Sequence, residues 1–316
     1  RYARALRQRG VILAVCSKNE DRVAREVFET HPDMVLRLDD IAYFTANWDD
    51  KATNLGRIAT QLNIGLNALV FVDDNPAERA IVRRLRPEVA VPELPADPAG
   101  YIRAIERHRY FQPIALSIED LQRTSYYLAD AARVAAESSA DDLEGFLRSL
   151  NMVARVAPIA PATLERSVQL IHRSNQFNLT TRRHSAAEVQ AMAADPAWLT
   201  RTVSLRDRFG DNGLISVLLA LADREVLEID TWLMSCRVLK RGVEQFLLAH
   251  LVEAARSRGL GRIRGEYIPT AKNGLVRDHY PTLGFTQVGG DETGRTLWEL
   301  RLDDGYGPAP SFITES

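Results

Sequence analysis

Residues 232–256 constrain the fold more tightly than any other stretch of the sequence. Trp232-Leu-Met-Ser-Cys236-Arg237-Val-Leu-Lys240-Arg241-Gly242 runs from an apolar strand into a basic turn with a late glycine, and a helix is predicted at once over 245–256. A helix that begins on unpaired backbone N–H groups has a positive end, so the turn is a ready seat for phosphate or pyrophosphate. Arg237, Lys240 and Gly242 are the residues expected to form that seat. Cys236, one of two cysteines in the chain, stands at its entrance.

A second constraint lies in the first third. Val11-Ile-Leu-Ala-Val15 and Ala68-Leu-Val-Phe-Val72 are apolar runs of strand length, ending in Cys16-Ser17-Lys18-Asn19 and Asp73-Asp74-Asn75-Pro76. Helical segments are predicted between them at 21–30 and at 51–62, the latter with a seam of Leu55, Ile58, Ala59 and Leu62. Alternating strands and helices argue for a parallel α/β sheet, whose ligands gather at the carboxyl ends of the strands. Ser17 and the Asp73–Asp74 pair are expected to meet there. Adjacent carboxylates repel unless a cation neutralises them, and oxygen ligands suit Mg²⁺. The other reading of the pair is capping of the helix that Pro76 opens. Lys51 adds an ammonium of the kind a phosphoryl oxygen needs.

With 316 residues the chain can form two domains, and 46% hydrophobic with 26% charged residues is the composition of a soluble globular protein. A formal net charge of -2 gives no support to bulk nucleic-acid binding. Two cysteines cannot build a disulfide framework, which points to a reducing cytoplasm. No apolar run approaches the ~20 residues of a membrane span. Arg1-Tyr-Ala-Arg-Ala-Leu-Arg-Gln-Arg-Gly10 reads as a helix end without an initiator methionine, so a further N-terminal piece is expected.

The expected boundaries are 1–107, a helical bridge or a helical hairpin packed on one domain over 108–150 with an N-cap at Ser117, a second domain over 151–303, and a tail over 304–316. The second domain starts with a strand at 152–157 and a helix at 162–174. Next comes Asn175-Gln-Phe-Asn178-Leu-Thr180-Thr181-Arg182-Arg183, read as a solvated polar loop or a binding segment. Paired strands at 199–207 and 212–222 are joined by a hairpin at Arg208-Phe-Gly210-Asp211. A third strand at 226–235 leads to Cys236. A strand at 262–267, a helix at 273–279 and a last strand at 296–302 complete the pattern.

Ser17 after its strand, Lys51 with Asn54, and Val-Phe-Val-Asp73-Asp74-Asn75-Pro76 resemble the second, third and fourth motifs of haloacid-dehalogenase-like phosphatases. The resemblance implies a partial Rossmannoid domain, Mg²⁺ on Asp73 and Asp74, and phosphoryl contacts from Ser17, Asn19 and Lys51. The family's first motif, a strand ending in Asp-x-Asp-x-Thr, is not in these residues, which implies that the phosphatase nucleophile lies upstream of Arg1. The later order of elements resembles an α+β acyltransferase of the Gcn-five-related type (GNAT), with Arg237 and Gly242 matching its pyrophosphate turn. Lys240 stands where that turn has its first glycine, which favours a single phosphate such as that of carrier-bound phosphopantetheine. Tyr280 matches the family's proton-donating tyrosine, and Asp211 is a further proton-moving candidate.

Along nearly the whole chain the order of motifs resembles the FkbH-like proteins of polyketide assembly. It includes Cys16-Ser17-Lys18-Asn19, Asp73-Asp74-Asn75-Pro76, Asn175-Gln-Phe-Asn-Leu-Thr-Thr181, Gly210-Asp-Asn-Gly213, Trp232-Leu-Met-Ser-Cys236-Arg237-Val and Tyr267-Ile-Pro-Thr270. The resemblance implies glyceryl transfer from 1,3-bisphosphoglycerate, with loss of phosphate, to an acyl carrier protein. Cys236 is then the acyl-accepting thiol and Cys16 its rival. Asn178, Thr180 and Thr181 are the candidates for holding the glyceryl group or the pantetheine. The alternatives are an acetyl-coenzyme A N-acetyltransferase and a non-catalytic carrier-docking module.

Overall fold

The computed structural model describes residues 1–62, 64–112, 123–303, 307 and 309–316. The N-cap expected at Ser117 lies outside the described residues. The chain forms two compact units, Arg1–Ser138 and Ser139–Ser316. Both are mixed α/β, as the sequence predicts.

In the first unit, α1 (Tyr2–Gln8) leads to β1 (Ala14–Ser17), α2 (Asp21–Thr30), β2 (Tyr43–Ala46), α3 (Lys51–Gln61), α4 (Pro76–Leu85), α5 (Tyr101–Glu106) and α6 (Arg123–Ser138). β1 and β2 pair in parallel, with Cys16 opposite Thr45 and Ser17 opposite Ala46. The predicted seam of α3 is its core face, because Leu55, Ile58, Ala59 and Leu62 are all buried. That face packs with Phe71, Val82 and Val89. Residues 68–72 are less regular than predicted, with a 3₁₀ turn at Leu66–Ala68 and a single parallel bridge from Val70 to Ala90. A Pro at the first position and an Asn75 cap start α4, where Asn75 Oδ1 accepts from Ala77 N–H at 2.9 Å.

In the second unit, α7 (Leu143–Ser149) precedes β3 (Met152–Ala157), α8 (Pro161–Arg173) and α9 (Ala186–Ala194). β4 (Trp198–Asp207), β5 (Gly210–Asp223) and β6 (Val226–Met234) form an antiparallel meander. They are followed by α10 (Val243–Ser257), β7 (Arg262–Tyr267), α11 (His279–Thr282), β8 (Thr286–Gly290), β9 (Thr296–Arg301) and β10 (Ile313–Glu315). The sheet order is β10-β3-β4-β5-β6-β7-β9-β8. The residues expected to be a tail thus add an edge strand, pairing Ile313 with Met152 in parallel. The helix predicted at 273–279 is instead a 3₁₀ turn at Gly274–Val276 and the short α11. Asn273 ahead of it is fully buried and bonded to neighbouring loops, which fixes the backbone in a turn.

Among the described residues, β6 and β7 are the only parallel neighbours in the middle of this sheet. They pair at Val226–Arg262, Leu227–Ile263 and Glu228–Arg264, and beyond that point they part. The basic turn follows the end of β6, beyond its pairing with β7.

Candidate functional site

In the first unit the carboxyl end of β1, the start of α3 and the start of α4 converge. Asp50 caps α3 by accepting from Thr53 N–H at 2.8 Å, which places Lys51 at the first helical position. From there the Lys51 ammonium donates to Asp73 Oδ2, with both side chains largely buried. Asp73 is 8% exposed, and its Oδ1 accepts from Asn75 N–H at 2.9 Å. Lys18, just past β1, forms an ion pair with Glu78 of α4 at 2.7 Å. Arg79, also in α4, donates to the carbonyls of Asp73 at 2.8 Å and Asp74 at 3.0 Å, which holds the acidic turn in place.

Lys51 and Asp73 are therefore brought together as expected residues of one site, and Ser17 ends the strand beside them. The Asp74 side chain is exposed while that of Asp73 is buried. Asn19 uses its Oδ1 to accept from Glu20 N–H at 2.8 Å at the entry to α2. Cys16 packs against the core, and its Sγ donates to Lys51 O at 3.9 Å. Burial pushes its thiol up to about 11. Trp48, in the loop between β2 and α3, is 73% exposed. Sequence reading missed it, although an indole between Asn47 and two aspartates has no core to join.

In the second unit Cys236 opens a 3₁₀ turn, Cys236–Val238, and is exposed. Ser235 Oγ accepts from Arg237 Nε at 3.2 Å, which ties the Arg237 guanidinium to the turn. Lys240 has φ 61° and Gly242 has φ 78°, both left-handed, and Gly242 is the N-cap of α10. The lysine therefore holds the backbone conformation that favours glycine, at a cost of about 1 kcal/mol. Arg241 turns inward to Asp207 Oδ2 at 3.3 Å.

The hairpin acid that faces this turn is Asp207. Asp211 is exposed, and its Oδ1 accepts from Gly213 N–H at 2.7 Å to shape the hairpin. The proton-moving role expected for Asp211 has no geometric basis. Tyr280 is 0% exposed, packed on Phe285 and Trp298, and burial pushes its hydroxyl strongly up. It is a packing residue of α11, in contrast to the role the resemblance implied.

Asn178 and Thr180 are also corrected. Both are buried, and their polar groups meet protein partners. Asn178 Oδ1 accepts from Thr181 N–H at 2.9 Å, and Thr180 Oγ1 donates to Asp230 O at 2.9 Å. Thr181 has φ 52° and turns the chain toward Arg182. Arg182 donates to Asp230 Oδ2 at 2.9 Å and to Glu266, while His184 Nε2 lies 2.7 Å from Asp230 Oδ1. Neither Asp230 nor Glu266 stood out in the sequence, because each sits singly in a strand. Asn273 was equally hidden, and it donates to Asn178 O at 3.0 Å and Ile268 O at 2.9 Å.

No protein-family model and no curated protein matches the chain. Among solved structures, the phosphatase-containing N-terminal part of protein BF1531 from Bacteroides fragilis, complexed with Mg, is 49% identical over 36% of this chain and 31% of its own, with a TM-score of 0.36. The chain thus spans about a third of that structure. The GNAT domain of PAT from S. lividans is 22% identical over 47% of this chain and 90% of its own, TM-score 0.38. The ribosomal-protein-S18-alanine N-acetyltransferase from Escherichia coli is 14% identical over 49% of this chain and 100% of its own, TM-score 0.36.

Proposed function

We propose that this chain carries the acyl-transfer part of an FkbH-like protein. In this reading it moves a glyceryl group from 1,3-bisphosphoglycerate to the phosphopantetheine thiol of an acyl carrier protein, with loss of phosphate. The observation that carries the reading is the placement of Cys236. It is exposed at the end of β6, directly before a turn that bears Arg237, Lys240 and the left-handed Gly242. Cys16 is the weaker choice, because burial holds its sulfur in the protonated form.

An acyl phosphate is already activated, so no ATP is required. The Cys236 thiolate attacks the carbonyl carbon, the C–O bond to the acyl phosphate breaks, and inorganic phosphate leaves with that electron pair as a thioester forms, while the C3 phosphate ester stays on the acyl group until the phosphatase step removes it. The carrier thiolate then attacks the same carbon, and Cys236 departs as a thiolate. Lys240 and the N-terminus of α10 offer positive charge to the carrier's phosphate.

In the first unit Lys51 and Ser17 are proposed to meet phosphoryl oxygens, and Asp73 to supply an oxygen ligand to Mg²⁺. Among the described residues no group of three His, Cys, Asp or Glu side chains is placed to hold a metal ion. Mg²⁺ is ordinarily held by one or two carboxylates with water completing its shell, so Asp73 would suffice to hold it, and the ion would supply positive charge to the phosphoryl oxygens.

Intact-mass spectrometry tests the reading. Incubation of the protein with 1,3-bisphosphoglycerate and holo carrier should add a glyceryl or phosphoglyceryl mass to Cys236 and then to the carrier. Normal carrier loading by Cys236→Ala removes Cys236 from the reaction. Acetylation of an amine from acetyl-coenzyme A, without any loaded carrier, replaces this reading with an N-acetyltransferase.

A further inference from the structure

β6 and β7 part after Glu228 and Arg264, yet run on to Met234 and Tyr267. Two diverging strands inside a protein present inward edges of N–H and C=O groups that must find partners. An extended ligand arm with amide groups would satisfy them as an added strand does. In this chain the partner is residues 177–179. Leu179 N–H donates to Trp232 O at 3.3 Å, Met234 N–H to Phe177 O at 3.1 Å, and Ile268 N–H to Leu179 O at 2.9 Å. Asn178 bridges Leu233 in antiparallel fashion.

The insertion is anchored on every side. Asn273 Nδ2 holds Asn178 O and Ile268 O, and Thr180 Oγ1 holds Asp230 O. Arg182 joins Asp230 of β6 to Glu266 of β7 behind it. Phe177 packs edge-on against His279, ring centroids 5.2 Å apart. Asn178, Leu179 and Asn273 are all at 0% exposure, so no solvent layer remains in which a second chain could lie.

We propose that residues 177–181 are a built-in strand that closes this cleft to extended, amide-bearing ligand arms, the pantetheine of free coenzyme A above all. Discrimination against coenzyme A is then a property of this segment as well as of the turn. A carrier-bound thiol reaches Cys236 from the exposed side of the turn and does not lie along β6. The route of the thiol rests on the reading of Cys236 given above, whereas closure of the cleft does not.

Residue-resolved hydrogen exchange on the full chain, with and without millimolar coenzyme A, tests the closure. The N–H groups of Leu179, Met234 and Ile268 should exchange slowly, at rates that coenzyme A leaves unchanged. In Asn273→Ala the three should exchange at least about tenfold faster, and affinity for coenzyme A should rise. Faster exchange of these amides on adding coenzyme A to the unaltered chain overturns the proposal. So does an Asn273→Ala variant with fast exchange and unchanged affinity. Where that variant does not fold, the unaltered chain decides. Acyl loading of Cys236 is followed separately by mass, so its absence beside the expected exchange pattern sinks the Cys236 reading alone.

Discussion

The His279 imidazole stands edge-on to the Trp232 indole, with ring centroids 4.5 Å apart and planes at 89°. Phe177 and Tyr280 complete the enclosure, and Nε2 of His279 has no hydrogen-bond partner among the described residues. Burial pushes this histidine down to about 3. The inserted strand therefore covers an imidazole held neutral by its surroundings.

Acid sensitivity follows with a definite sign. The unfolded chain binds a proton at His279 as pH falls below about 6.5, whereas the folded chain resists until about pH 3. Stability is fully present above that window and declines through it by about 1.4 kcal/mol per pH unit. His279→Phe keeps the packing and removes the titration. Its loss of stability between about pH 7 and pH 5 should be smaller than that of the unaltered protein by about 2 kcal/mol, measured by urea unfolding. Parallel losses in the two proteins contradict the buried neutral imidazole.

Gly265 lies on β7 with no room for a side chain. A Cβ there would come within 2.2 Å of the Tyr280 ring and 2.3 Å of its hydroxyl. Tyr280 is itself fully enclosed and cannot give way cheaply. Gly265→Ala should destabilise the second unit by about 1–3 kcal/mol or more, read as a lower unfolding midpoint. A companion Tyr280→Leu change, which clears the contact, should recover part of that loss.

What the sequence made legible was periodic or punctuated. Leu55, Ile58, Ala59 and Leu62 recur at helical spacing and form the buried face of α3, and the meander from Trp198 to Met234 follows its strand patterns. Pro76 after Asn75 marked the start of α4. The edge strands escaped. β8 is Thr286–Gly290, where two glycines hide the strand pattern, and β10 is only three residues long.

In the site, Lys51 with Asp73 and the turn through Lys240 and Gly242 were legible because charge and glycine mark them. Phe177–Thr181 was not. Its amides and hydroxyls read as a solvated or ligand-holding loop, but the Asn178 amide bonds the backbone of its own turn and the Thr180 hydroxyl bonds the backbone of a strand distant in sequence. Local pattern carries no record of such a partner, as with Thr180 and Asp230 O, 50 residues apart.

The two cysteines should separate by reactivity. Cys236 is exposed, whereas Cys16 is half-buried and pushed up to about 11, leaving about a hundredfold less thiolate than an ordinary cysteine near neutrality. Limiting iodoacetamide at about pH 8 should label Cys236 well before Cys16, as read by peptide mapping. Comparable rates at the two sites would remove the ground for preferring Cys236.

The Lys51–Asp73 pair sets the last test. Their side chains are 13% and 5% exposed, so neither charge is well hydrated and each relies on the other. Lys51→Met strips the Asp73 carboxylate of its cation while the Asn75 N–H still donates to it at 2.9 Å, and should cost about 3–5 kcal/mol. Asp73→Asn leaves the ammonium in the same position and should also destabilise. The double change removes both charges together, so its cost should fall short of the sum of the single changes by about 1–3 kcal/mol. Strict additivity in urea unfolding would mean that the two groups do not interact, and the phosphoryl site proposed around them would lose its organising contact.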